Sequence, residues 1–373
     1  MGDILCYSTN GSVGGEPMNI LNIVIGIFAI FGALDRLANN RFGLGEEFER
    51  GFHLFGSLAL SMIGMIVIVP LLARWMQPVL SLLGGILEPS VIPASLIAND
   101  MGGAALSVQV AADPELGLFN GLVVSCMMGG TIAFTIPVSL TAVPKQQHRE
   151  LLLGMLCGII TIPLGCLFAG LLRPIPFPTL LWNLLPLLVL SGILAAGLIF
   201  CPNVCTKIFQ GLGFVVKALI TAGLVLSLLE YFTGLVLIPG LTSLEDAAAV
   251  SLSCSFFLTG VLPLLALLSK AISKPMSRLS KALGLNEQSA LGFVATLASS
   301  VTTFATMERM DKKGVMLNSA FAISAAFAFA DHLAFTMAFE KSYAFPVVLA
   351  KLIGGFSAVV IACLLHKRLN KAP

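Results

Sequence analysis

Two carboxylates stand in almost wholly apolar surroundings: Asp100 in Leu96-Ile97-Ala98-Asn99-Asp100-Met101-Gly102-Gly103, and Asp331 in Phe329-Ala330-Asp331-His332-Leu333-Ala334-Phe335. An acid at bilayer depth costs about 2.5 to 3.5 kcal/mol on insertion scales, so it persists where a cavity or partner receives it. Two such acids and a histidine offer cation binding. A small protonated amine gains charge-assisted hydrogen bonds from a carboxylate, and an aromatic face beneath its ammonium adds roughly 0.5 to 2 kcal/mol. Phe304, Phe327, Phe335 and Phe339 are the aromatic candidates, among 25 phenylalanines of which most pack or face lipid. Asn99, Ser299, Ser300, Thr302 and Thr303 offer partners to a substrate hydroxyl, with capping of backbone groups at a helix break as the competing role. The expected substrate site is Asn99, Asp100, Ser299, Thr303, Phe304, Asp331, His332 and Phe335. His332 either relays a proton or orients Asp331, and Lys351 is a structural alternative as partner of that acid.

Other chemistry finds little support. The chain has no phosphate-cradling loop ending in Lys-Ser/Thr, no His-Glu-x-x-His and no nucleophile elbow. Neither aspartate has an evident helper for a shared-proton dyad. The eight cysteines (6, 126, 157, 166, 201, 205, 254 and 363) are spaced neither as a disulfide framework nor as a zinc site. Cys201 and Cys205 form a soft pair with no histidine nearby. No catalytic role, cofactor, metal or nucleic-acid partner is expected.

The elements that must carry these residues follow from composition. The 373 residues are 57% hydrophobic and 11% charged, with a mean hydropathy of +0.97, against roughly 25% charged for a soluble domain. The chain is expected to be an all-α polytopic membrane protein, with the lipid bilayer as its environment. Apolar segments fall at 18–35, 52–75, 90–108, 117–140, 149–172, 179–200, 205–230, 247–269, 287–306, 314–340 and 345–366, each near the length that spans the hydrocarbon core. The first follows a polar start with Asp3 and Glu16 and no basic residue, the wrong flank for a cleaved signal peptide, and is read as a retained span. Glu46, Glu47, Glu49 and Arg50 read as a solvated charged loop after a turn at Gly43-Leu44-Gly45.

Charge arithmetic separates crossing segments from re-entrant ones. With eleven crossings the loop lysines and arginines divide 10 against 9, which sets no orientation. If 90–108 and 287–306 instead enter and leave by one face, the division becomes 16 against 3: Arg74, Arg173 and Lys341 stand alone, and Lys217 and Lys351 lie inside spans. The expectation is therefore nine crossings and two re-entrant hairpins, with the amino terminus outside and the carboxyl terminus in the cytoplasm.

The halves also resemble each other. Gln77-Pro78-Val79-Leu80-Ser81-Leu82-Leu83 followed by Glu88 parallels Lys274-Pro275-Met276-Ser277-Arg278-Leu279-Ser280 followed by Glu287, and Leu118 to Ser125 tracks Met316 to Ser324, with Asn120 near Asn318. Five crossings separate equivalent segments, and an odd number makes the repeats inverted. Inverted repeats with interrupted segments at matching positions are the pattern of a secondary transporter that binds its substrate near the midplane. The expected organisation is a first repeat over 1–172, a linking helix over 173–204 and a second repeat over 205–373.

Gly43-Leu44-Gly45-Glu46-Glu47-Phe48-Glu49-Arg50-Gly51-Phe52, Asp100-Met101-Gly102-Gly103, Met127-Met128-Gly129, Ile136-Pro137-Val138, Gly158-Ile159-Ile160-Thr161-Ile162-Pro163-Leu164-Gly165-Cys166, Leu237-Ile238-Pro239-Gly240, Ala295-Thr296-Leu297-Ala298, Asp331-His332-Leu333 and Lys351-Leu352-Ile353-Gly354-Gly355 span nearly the whole chain. In their order and number they resemble the ethanolamine permease family of bacterial ethanolamine utilisation operons. The chain departs from it at Ser299-Ser300, where the family often has asparagines, and at Ala330, where it has glycine. The resemblance implies uptake of ethanolamine across the bacterial cytoplasmic (inner) membrane, feeding a cobalamin-dependent ammonia lyase elsewhere. Ethanolamine suits the site read from the residues: a small ammonium with one hydroxyl. Transport of another small cation coupled to protons or sodium, an intramembrane enzyme, and a structural or signalling subunit are the alternatives; association into a homo-oligomer is left open.

Overall fold

A computed structural model describes residues 20–83 and 85–369. Asp3, Cys6, Glu16, the start of the first expected span and Lys371 lie outside the described residues, as do the side chains of Lys274, Arg278 and Lys281. Every regular element described is helical: α1 (Ile20–Leu37), α2 (Leu44–Leu83), α3 (Val91–Leu96), α4 (Gly103–Val110), α5 (Pro114–Phe119), α6 (Ile136–Ala142), α7 (His148–Gly170), α8 (Phe177–Phe200), α9 (Pro202–Thr233), α10 (Leu244–Leu283), α11 (Glu287–Ala298), α12 (Ser300–Ala305), α13 (Lys312–Ala325), α14 (Asp331–Phe339) and α15 (Ala344–Leu369). Two π-helical stretches, Asn120–Gly129 and Thr131–Thr135, join α5 to α6.

Seven of the described helical stretches are long and apolar enough to cross a membrane: Leu44–Leu80, Pro114–Ala142, Lys145–Gly170, Phe177–Phe200, Pro202–Thr233, Leu244–Ala271 and Lys341–Leu369. At about 1.5 Å per residue even the 24 residues of α8 reach roughly 36 Å, enough for a hydrocarbon core of about 30 Å. The chain is thus an all-helical, multi-pass membrane protein. α2 packs along α10, and α7 along α13 and α15. Within Pro114–Ala142, 83% of the most apolar window is buried, against 22% in Pro202–Thr233; the first runs through the middle of the molecule and the second faces outward, where apolar side chains meet lipid.

Three expected segments are interrupted. In the third, α3 gives way to extended backbone at Ile97 and Ala98, a 3-10 turn at Asn99–Met101, and α4. Gly102 there has φ +94°, and a Cβ on it would sit 1.9 Å from Met65 Cγ, so only glycine fits. The ninth breaks at Ser299, between α11 and α12. The tenth, expected as one span over 314–340, is divided between α13 and α14. Phe327 in the gap holds a left-handed φ of 59°, an uncommon and costly conformation for a bulky residue. Its backbone N–H donates to Thr296 O at 3.2 Å and that of Phe329 to Leu297 O at 3.1 Å. The last carbonyls of α11 and the freed N–H groups beside α14 thus satisfy each other, a requirement at membrane depth.

The two ends of each short-helix pair are tied together. Ala112 N–H donates to Glu88 Oε1 at 2.9 Å, closing the chain around α3 and α4. Around α11 and α12, Asn286 donates from its backbone to Asp311 Oδ1 at 3.0 Å and from its side chain to Arg309 O at 2.9 Å. The charged stretch at 46–50 is helix rather than loop. Buried Asp35 accepts from the N–H groups of Phe42, Leu44 and Gly45, which fixes the turn and starts α2 ahead of Glu46.

Candidate functional site

The break between α3 and α4 meets the amino-terminal end of α14. Asn99 is fully buried and its Nδ2 donates to His332 O at 3.4 Å. Asp100 Oδ1 lies 3.8 Å from His332 Nε2, with the carboxylate 16% and the imidazole 8% exposed. Asp331 opens α14, where helix N–H groups favour negative charge. It is partly exposed, and the two carboxylates interact electrostatically with each other and with buried Cys254 of α10. The π-helical stretch supplies the floor. A Cβ on Gly129 would lie 2.1 Å from Ile97 O and one on Gly130 3.0 Å from His332 Cε1, so these glycines permit the close approach. The Phe327 ring packs between Phe134 and His332, with centroids 5.6 and 5.4 Å away.

Among the described residues, Asn99 Oδ1, Asp100 Oδ1 and His332 Nδ1 are buried without a hydrogen-bond partner. A buried polar atom left unpaired costs about 1 to 3 kcal/mol, and such atoms in a native structure call for an explanation. Two are oxygen acceptors; the third accepts in the tautomer whose Nε2–H faces Asp100. A ligand rich in donors and positively charged matches this set.

The other expected site residues divide. Phe335 is 1% exposed and stacks on Phe339 at 5.3 Å, one turn into α14 from Asp331. Thr303 is committed to its own short-helix pair, bonding Thr296 Oγ1 at 2.8 Å and Gly292 O at 3.1 Å. Phe304 is buried in the main core. Ser299 caps α11 through its backbone, while Ser300 Oγ is buried with no hydrogen-bond partner among the described residues. The structure therefore joins Asn99, Asp100 and His332 directly, sets Asp331 and Phe335 beside them, and links the α11–α12 pair to them through backbone. Phe327, one of the four aromatic candidates, walls the site, and the Gly129-Gly130 pair joins it without having been singled out. Phe327 carries no sequence mark of a break; the two glycines, inside a run with no turn signal, were a readable sign of close approach. Lys351 does not pair with Asp331: its Nζ bonds three backbone carbonyls.

Comparison with known proteins agrees with this architecture. A family model described as "Ethanolamine utilisation protein, EutH" matches residues 18–365. A probable ethanolamine permease of Listeria monocytogenes is 39% identical over 349 residues, covering 92% of this chain and 93% of its own. One of Salmonella typhimurium is 36% identical over 388 residues, covering 93% and 95%. An uncharacterized protein of Bacillus subtilis is 36% identical over 343 residues, covering 91% and 92%. No solved structure matches. With the match running through nearly the whole chain, this protein belongs to the EutH family of ethanolamine utilisation proteins.

Proposed function

We propose that this protein carries ethanolamine across the bacterial cytoplasmic membrane as a secondary transporter, binding the protonated amine between the α3–α4 break and α14. The observation that carries this reading is the cluster of buried, unpartnered acceptors Asn99 Oδ1, Asp100 Oδ1 and His332 Nδ1. Asp100 takes the ammonium, with Asp331 supplying further negative potential. Asn99 and His332 are the partners for the remaining donors and the hydroxyl, and Phe327 and Phe335 close the apolar side. Ser299, Thr303 and Phe304 hold the second hairpin in shape. Binding, rather than catalysis, is the work assigned to every group.

The architecture assigned to this cycle is nine crossings with two re-entrant hairpins, in two inverted repeats over 1–172 and 205–373 joined by a helix at 173–204. The closed ends of both short-helix pairs support re-entry. Matching polar chemistry supports the repeat. Asp113 and Asp311 each cap the helix after a hairpin, through Leu116 N and Gly314 N. Seven residues on, Asn120 Nδ2 donates to Ser90 Oγ at 2.9 Å and Asn318 Nδ2 to Ser289 O at 2.8 Å, each tying the helix to the start of its hairpin. Contacts within each face agree with the charge division: Gln147 meets Met307 O and Lys270 meets Phe42 O, while Arg173 meets Glu115 and Ser342. The lysine-rich face is then cytoplasmic, with the amino terminus outside.

Uptake of labelled ethanolamine into proteoliposomes holding the purified chain, at acidic pH where the permeant free base is scarce, tests the reading. Saturable uptake above empty liposomes is expected, and equal uptake in the two overturns it.

A further inference from the structure

Lys351, on α15, is 1% exposed in the middle of the molecule. Its Nζ donates to Cys126 O at 3.1 Å, Ser324 O at 3.3 Å and Ala326 O at 2.9 Å. Cys126 lies in the π-helical stretch and Ser324 and Ala326 at the end of α13, so the acceptors come from irregular helix on two different elements. An ammonium has three N–H donors and no acceptor, and here all three are matched. A neutral amine would turn a lone pair toward one of these oxygens, so the cage selects the charged form. A hydroxyl adds to the same neighbourhood: Ser324 Oγ is buried without a hydrogen-bond partner among the described residues. Two carbonyls at the end of α13 and one from within the π-helical stretch, with a hydroxyl beside them, make a set of the kind by which transporters hold a small monovalent cation, built from backbone carbonyls at helix ends and irregular helix.

We propose that these carbonyls form a monovalent-cation site which the chain fills with its own Lys351 ammonium, a tethered ion standing where a diffusible one would bind. The site lies outside the acceptor cluster of Asn99, Asp100 and His332, and Lys351 acts on that cluster through its charge, which interacts with Asp100. Transport accordingly needs no sodium at this position, and shortening the side chain exposes the site to ions from solution.

The test uses the full-length protein in detergent and in proteoliposomes, with sodium chloride compared against N-methylglucamine chloride at constant ionic strength. Lys351→Ala and Lys351→Ser open the site, while Lys351→Met fills it without charge. The expected result is a saturable, sodium-specific rise of several degrees in melting temperature for the Ala and Ser variants, with no such rise in the wild type or the Met variant. Folded Ala and Ser variants that melt identically in both salts overturn the proposal, as does a sodium-specific rise in the wild type. Should neither small variant fold, wild-type ethanolamine uptake decides: unchanged initial rates without sodium are expected, and rates that collapse overturn the proposal. That uptake arm rests on the transport reading above, whereas the melting arm does not, so failures of the two separate.

Discussion

The two interrupted short-helix pairs are built alike at their ends and differently at their tips. The first, around Asn99 and Asp100, turns on a glycine with positive φ and leaves acceptors unpartnered. The second turns at Ser299, whose φ of −160° is ordinary extended backbone, and spends its threonines on one another. Its tip carbonyls go to the backbone of Phe327 and Phe329. On the proposed reading the difference is a division of labour: the first short-helix pair receives the substrate, while the second holds the broken span that carries Asp331 and His332.

The sharpest way to break that comparison is Asp100→Asn. A hydrogen bond to a charged group contributes about 1.5 to 3 kcal/mol, so apparent affinity for ethanolamine should fall roughly 10- to 100-fold in the concentration dependence of uptake. An unchanged affinity would remove the first hairpin from the receiving role. Next comes the turn itself. Gly102→Ala forces a Cβ into Met65 and a left-handed alanine, a loss on the order of 3 kcal/mol in stability, whereas Ser299→Ala should leave the melting temperature in detergent nearly untouched. Equal melting of the two variants would erase the distinction.

A smaller effect is expected for Asn99→Ala, which deletes one neutral acceptor and the contact to His332 O. About 1 kcal/mol, or roughly fivefold in apparent affinity, should be lost in the same uptake measurement. Smallest in its effect on affinity is Thr303→Val. It removes the bonds to Thr296 and Gly292, lowering stability by about 1 kcal/mol while leaving substrate affinity where it was. A change in affinity there would move the second hairpin to the substrate side.

Apolar length and charge made the helices legible, and the first interruption was readable because Gly102-Gly103 sits beside an acid. The break after α13 was not. Ser324-Ala325-Ala326-Phe327-Ala328-Phe329-Ala330 contains neither glycine nor proline and reads as continuous helix; it unwinds because Thr296 and Leu297 offer carbonyls from elsewhere in the chain. The π-helical widening was equally silent, although Gly129-Gly130 marked the close approach to Ile97 O. Lys351 was visible as a charge inside a span, but its partners are carbonyls on two distant elements, and local sequence does not encode such a meeting. Asp100 and His332 were expected in one site, but which atoms meet was not legible: the approach to 3.8 Å is tertiary.

The backbone bonds from Phe327 and Phe329 to the end of α11 bear on how a bound solute would leave. They tie the segment that leads into α14 to the second short-helix pair; in the proposed cycle Asp331 and His332 then ride with one carriage and Asn99 and Asp100 with the other. The side-chain bond from Asn99 to His332 O, at 3.4 Å, is a long and easily broken coupling between the two. If the proposed site is the grip, sliding one carriage past the other dismantles it, and release becomes an uncoupling of the holder rather than the opening of a door in front of it.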